Sequence, residues 1–199
     1  MKQDRIRWNE KFDAQRGMGD PSPWVQSMYK TAPGRRALDL TAGLGRNAVF
    51  LARQGFDVMA LDLADRAMES LKAHNLPNIF PVQADLDTFP VRQESFDLVI
   101  CCHFLDRRLF PYIQESLKLG GILLYESALE SDQPLTNQPR NRDYLLRTNE
   151  LLHVFLCMRI ISYQESVFEE AKGSGEKRAL ARVAAQKGWT GDEPLVRIS

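Results

Sequence analysis

The chain has 199 residues, the size of one ordinary domain, which can bury about 70% of its unfolded surface without metal or disulfide staples. Lys and Arg total 26 and Asp and Glu total 26, so no global field recruits nucleic acid or an acidic membrane. Cys101, Cys102 and Cys157 lack metal-ligand spacing, the apolar stretch 151–161 is interrupted by His153 and Arg159 and too short to span a bilayer, and the polar N-terminus has no signal-peptide core, so a reducing cytoplasm is expected, with neither metal nor membrane.

The first thirty residues read as a unit of their own. An amphipathic helix carrying Ile6, Trp8 and Phe12 is followed by Asp20-Pro-Ser-Pro23 and then by the apolar segment Trp24 to Tyr29. From residue 31 onward, strands and helices alternate at the spacing of a parallel sheet with crossover helices. Arg36 to Leu40 reads as the first strand and Asn47 to Gln54 as a helix. Phe56 to Asp62 is the second strand, and Ala64, Ala67, Met68 and Leu71 recur at helical spacing through Asp65 to His74. Ile79 to Val82 is a short third strand. Phe96 to Cys102, an almost unbroken apolar run, has the pattern of a central strand covered on both faces. A helix from Arg107 to Leu119, ended by Gly120-Gly121, leads to a fifth strand at Ile122 to Tyr125. Ser127 to Arg147 is polar, with Pro134, Pro139, Arg140, Arg142 and Arg147, and reads as a long loop of the kind that is usually functional or disordered. A short helix at Asn149 to Phe155 precedes two closing antiparallel strands, Met158 to Val167 and Lys177 to Ala185, joined by a turn at Lys172-Gly-Ser-Gly175.

Chemistry concentrates where the first strand ends. Asp39-Leu-Thr-Ala-Gly-Leu-Gly45 runs from a strand into a helix, and Gly43-Leu-Gly45-Arg-Asn-Ala48 fits the loose glycine fingerprint of a nucleotide site, a weak signal by itself. Three acids sharpen it. Asp39 lies inside the strand, where a carboxylate can meet the ammonium of an amino-acid moiety. Asp62 ends the next strand, the place from which an acid accepts hydrogen bonds from ribose hydroxyls. Asp85, after the third strand, can accept from an adenine amino group, with the Leu86 backbone beside the ring.

These motifs, in this order, resemble those of class I S-adenosylmethionine-dependent methyltransferases over nearly the whole chain. Asp39 to Gly45 resembles the first motif, Leu61-Asp62 the second-strand acid, Ala84-Asp85 the adenine motif, Phe96 to Ile100 the fourth strand, and Leu117-Lys-Leu-Gly-Gly-Ile-Leu-Leu124 the turn into the fifth. Trp8-Asn-Glu-Lys-Phe12 and Arg147-Thr-Asn-Glu-Leu-Leu152 look most like the tellurite-resistance (TehB-like) and thiopurine-methyltransferase-like branches. Thr41-Ala42 departs from the glycine that many members carry there. The resemblance implies a Rossmann-like, doubly wound, seven-stranded, mostly parallel sheet with an antiparallel closing strand, in one domain: an N-terminal helical lid over residues 1–30 and an α/β core over 31–199. It implies S-adenosyl-L-methionine as cofactor, held by Trp8, Asp39, Thr41, Ala42, Gly43, Gly45, Asn47, Asp62, Leu63, Asp85, Leu86 and Cys101. It also implies methyl transfer to a small molecule, such as an oxyanion like tellurite or a thiol.

On the acceptor side His103, Arg140 and Arg142 are the candidate catalytic residues. His103 follows the fourth strand at the sheet's carboxyl edge, and the arginines form the densest cationic cluster in the sequence, suited to an oxyanion or carboxylate. Surface solvation of those arginines and a structural role for His103 are the plain alternatives. A non-catalytic cofactor-binding module would keep every motif, whereas a nicotinamide-dependent oxidoreductase would leave Asp39 and Asp85 unexplained. A nucleic-acid methyltransferase would need a basic patch and an Asn/Asp-Pro-Pro-Tyr-type motif, where this fourth strand ends in Cys-Cys-His-Phe. Monomer and homodimer both remain open.

Overall fold

The computed structural model describes residues 2–14, 17–88, 92–133, 135, 138–169 and 177–188. Seven strands form one sheet in the order β3-β2-β1-β4-β5-β7-β6. They are β1 (Arg36–Asp39), β2 (Asp57–Asp62), β3 (Ile79–Gln83), β4 (Phe96–Cys102), β5 (Leu117–Ala128), β6 (Arg159–Glu169) and β7 (Lys177–Gln186). β1 to β5 are parallel, and β7 runs antiparallel to both neighbours, β5 and β6. The closing pair is therefore antiparallel within itself as expected, and only β7 opposes the rest of the sheet. The turn foreseen at Lys172 to Gly175 lies outside the described residues.

The two-residue period of a strand decides which helices each strand serves. Ala37, Leu98, Ile100, Ile122 and Leu124 face one layer, built by α2 (Pro23–Met28), α3 (Arg46–Arg53) and α4 (Asp65–Ala73) through Trp24, Met28, Val49, Leu51 and Leu71. Their neighbours Leu38, Val99, Cys101, Leu123 and Tyr125 face the other, built by α5 (Phe110–Ser116) and α6 (Glu150–Val154). There Phe110, Tyr125 and Phe155 pack as an aromatic triangle, with ring centroids 5.5–6.3 Å apart. All seven residues of β4 are buried, which is why it reads as one continuous apolar run.

The expected helix from Arg107 to Leu119 is shorter than its pattern. A 3-10 turn at Arg107–Leu109 leads into α5, which Pro111 opens, and Leu117 to Leu119 belong to β5. The Gly-Gly pair consequently does not end a helix but relieves a crowded strand crossing. A Cβ on Gly121 would lie 2.9 Å from the Lys118 carbonyl oxygen and 3.0 Å from that of Phe96, at the register shift between β4 and β5. β5 also continues through Ala128, and the loop beyond is tied back by a bridge between Leu129 and Leu146.

The N-terminal helix α1 (Lys2–Ala14) contributes no fully buried residue. Trp8 and Phe12 pack partly against the core, but Ile6, expected on the same apolar face, is 50% exposed. The helix is docked by polar contacts on α4: Arg5 forks onto Asp65 at 2.9 and 2.7 Å, Asn9 donates to the same carboxylate at 2.8 Å, and Asp13 pairs with Arg66 at 2.7 Å. No helix among the described residues is long and apolar enough to cross a membrane.

Because backbone oxygens cannot swing aside as a side chain can, Gly121→Ala should cost about 2 kcal/mol or more in urea unfolding, with the slope unchanged.

Candidate functional site

Strand order reverses between β1 and β4, and the carboxyl ends of the strands there open into a cleft of about 1310 Å³. Trp8, Phe12, Thr41, Ala42, Gly43, Asp62, Leu63, Asp85, Leu86, Cys102, His103 and Glu126 are among its lining residues, together with Lys11, Arg46, Arg178 and Arg182. That volume exceeds a single drug-sized pocket, so two ligands side by side can be accommodated.

The turn between β1 and α3 forms one wall. Gly45 caps α3 at φ 98° and ψ 11°, and a Cβ there would sit 2.6 Å from Leu71 Cδ2, so only glycine fits both the dihedral and the space. Asp62 holds this turn in place. One carboxylate oxygen accepts from Gly43 N–H at 2.8 Å and the other from Ala64 N–H at 2.9 Å, so the acid at the end of β2 staples the turn that follows β1. Burial raises its pKa, and those N–H groups oppose the shift. Each oxygen keeps a further lone pair for a hydroxyl donor.

Asp39 is buried beneath the turn, 1% exposed, and does not itself line the cleft. Burial and, next, the charge of Asp62 push its pKa up to about 7, against Arg46 and the N–H groups of Thr41 and Ala48. Asp39 Oδ1 and Thr41 Oγ1 have no hydrogen-bond partner among the described residues. Two buried acceptors without donors beside a cleft mark a place where a ligand's donors would be welcome.

Other expected contacts fall differently. Asn47 is buried and outside the lining; its Oδ1 accepts Ser22 N–H at 2.9 Å, joining α3 to the segment before α2. Gly45 also lies behind the lining, as a shaping residue of the turn. Cys101 faces the α5 layer rather than the cleft, its thiol pushed up to about 12 by burial, and strand alternation puts Cys102 at the cleft instead. Asp85 and Leu86 line the cleft beyond β3, where the Asp85 carboxylate caps its own turn by accepting Asp87 N–H at 3.0 Å.

At the other end, His103 stands at φ 58°, an uncommon backbone state for a histidine, with its N–H bonded to Glu126 C=O at 2.7 Å. Arg178 Nη1 lies 3.2 Å from His103 Nδ1, and Arg182 Nε donates to the buried Glu126 carboxylate at 2.5 Å. Desolvation, then the charges of Arg46, Arg178, Arg182 and Lys11, hold His103 down to about 3, so its ring is neutral near pH 7. Arg140 and Arg142 are exposed and outside the cleft lining, so the expected cationic loop is replaced here by Arg178 and Arg182 of β7. Two arginines four apart in a strand share a face, a signal present in the sequence but eclipsed by the denser loop cluster.

A methyltransferase-domain family model matches residues 37–121. The chain is 27% identical over 167 residues to a probable S-adenosyl-L-methionine-dependent methyltransferase, TehB, of Haemophilus influenzae, a match covering 76% of this chain and 57% of that protein. An uncharacterized methyltransferase of Synechocystis is 37% identical over 98 residues, 46% of each chain. The crystal structure of Haemophilus influenzae TehB superposes with a TM-score of 0.69 at 24% identity, covering 92% of this chain and 67% of that one. The chain thus spans little more than half the length of the TehB sequence it matches.

Because the Asp39 pKa is raised from 3.8 to about 7, ionising it disfavours the ligand-free fold, and stability present below pH 4 is lost as pH rises through 7. Asp39→Asn should flatten that dependence and gain roughly 2–4 kcal/mol at pH 8, checked by urea unfolding at pH 4.5, 6 and 8.

Proposed function

We propose that this chain carries a class I S-adenosylmethionine-dependent methyltransferase domain of the TehB-like kind and methylates a small anionic acceptor, an oxyanion of the tellurite kind or a thiol. One observation carries the reading: a stapled glycine turn at the sheet's switch point, with unsatisfied buried acceptors on Asp39 and Thr41, faces a cluster of cations across one cleft. The cofactor fits these residues. The Asp39 carboxylate and Thr41 hydroxyl suit its ammonium and carboxylate end, Asp62 has lone pairs for the ribose hydroxyls, and Asp85 and Leu86 take the adenine. Ala42, Gly43 and Leu63 give backbone close to it, while Gly45, Asn47 and Cys101 act from behind by shaping the turn and the strand end.

When bound, S-adenosylmethionine supplies a methyl group on a cationic sulfonium. The protein's part is to hold a nucleophile about 3 Å away and to exclude water. Trp8 and Phe12, 5.8 Å apart by ring centroids, stand over the cleft, with Phe12 Cζ within 3.5 Å of where a Gly43 Cβ would be. We assign α1 the role of lid on that basis. Lys11, Arg46, Arg178 and Arg182 favour an acceptor that is already ionised, for which no dedicated base is needed, and His103 serves as a neutral hydrogen-bonding partner rather than an acid.

Calorimetric titration with S-adenosylhomocysteine and a labelled-methyl screen of tellurite, selenite and small thiols test the proposal; no binding at millimolar cofactor defeats it. Deleting residues 2–20 should weaken S-adenosylhomocysteine binding by about tenfold or more, and an unchanged affinity would remove the lid role. Arg178→Met should raise the acceptor KM by about tenfold, whereas Arg140→Ala with Arg142→Ala should leave it within about twofold, as read from initial rates.

A further inference from the structure

A largely buried polar chain runs along the cleft wall from its glycine-turn end to its cationic end. Asn47 Oδ1 accepts Ser22 N–H at 2.9 Å, Ser22 Oγ donates to Glu126 Oε1 at 3.0 Å, and Glu126 Oε2 accepts from Arg182 Nε at 2.5 Å. All four residues are at most 9% exposed. Glu126 and Arg182 are direct cross-strand partners of β5 and β7, and the guanidinium carbon of Arg182 lies 3.7 Å from the Phe168 ring centroid. Glu126 also reaches His103 twice: its carbonyl takes the His103 N–H, and Oε1 stands 3.4 Å from Nε2.

A buried ion pair of this kind is a poor source of stability, because desolvation offsets most of its Coulomb gain. Its geometry is more informative. Arg178 is a donor only, so its approach to Nδ1 makes that nitrogen the acceptor and puts the ring hydrogen on Nε2, facing Glu126. One carboxylate thereby sets the tautomer of His103 and the direction of Arg182, both of which line the cleft.

We propose that Glu126 is a positioning residue for the acceptor: it fixes Arg182 and His103 where the acceptor's negative charge is to sit, and Ser22 couples that setting to the segment leading from α1. The assignment deepens the methyl-transfer reading and rests on it for the word acceptor. Its physical content, an anion subsite organised by Glu126, is measurable without turnover.

The full chain, saturated with S-adenosylhomocysteine, is titrated with sulfate as an inert anion while the His103 ring nitrogens are followed by NMR. Glu126→Gln leaves a single acceptor oxygen, which the donor-only Arg182 keeps, so the amide N–H group faces His103 Nε2, whose tautomer can change. It should weaken sulfate about tenfold, leave S-adenosylhomocysteine affinity within about twofold, and shift His103 away from its Nε2–H tautomer. Glu126→Asp should recover part of the sulfate affinity, and Ser22→Ala, a milder change that leaves the ion pair intact, should lose about threefold. With an acceptor in hand the loss should fall on KM and not on kcat. Absence of a saturable sulfate effect in the wild type overturns the assignment, as does unchanged sulfate affinity in Ser22→Ala and Glu126→Gln, or equal loss of sulfate and S-adenosylhomocysteine binding. If sulfate depends on Glu126 while no acceptor is methylated, the subsite stands and the methyl-transfer reading falls.

Discussion

The arrangement depends on two hydrogen bonds from backbone N–H groups to one carboxylate. Asp62, at the end of β2, binds Gly43 and Ala64 at once, so the turn after β1 and the turn after β2 hold a fixed separation across the top of the sheet. The turn after β1 is built around glycines, and a Cβ on Gly45 would lie 2.6 Å from Leu71 Cδ2, so it offers few side chains of its own to fix its position. Holding a partly buried carboxylate costs free energy, which the N–H donors offset in part. Burial, and next the charge of that carboxylate, push the pKa of Asp39 beneath it up to about 7. A cationic group beside the two acids would favour their ionised forms.

A chain with zero formal net charge nevertheless makes a strongly polarised cleft. Asp39, Asp62 and Asp85 gather at the ends of the parallel strands on one side, Lys11, Arg178 and Arg182 come together around His103 on the other, and Arg46 acts on both Asp39 and His103. Global balance says nothing about such local fields, because their reach is set by distance and screening within a low-dielectric cleft. The two ends are not independent. Ser22 touches α3 through Asn47 and β5 through Glu126, so a displacement of the N-terminal segment is felt at both. Helix α1 itself is held by exposed ion pairs on Asp65 and Arg66, contacts weak enough to be broken and remade.

Much of this was legible in the residues. The central strands could be read because burial on both faces leaves a continuous apolar run, as in Phe96 to Cys102, and the glycine turn with its acids stood out because such residues are costly inside a strand unless they serve a ligand. What misled was local pattern without neighbours. Leu117 to Leu119 continue a helical spacing, yet they join β5 because the edge of β4 offers Phe96 as a partner. Cys101 and Cys102 look equivalent in a row, but one step along a strand turns a side chain through the sheet, and only Cys102 reaches the cleft.

By itself, the order of residues determined the alternation of strands and helices, the glycine turn after the first strand and the three acids around it, because these depend on periodicity and on short-range turn chemistry. Only the tertiary structure decided which cations stand beside His103. Arg140 and Arg142 cluster in sequence but remain in solvent, while Arg178 and Arg182 arrive from β7, inserted antiparallel between β5 and β6. That insertion pairs Arg182 with Glu126 across 56 residues, a contact set by strand order and register rather than by proximity along the chain.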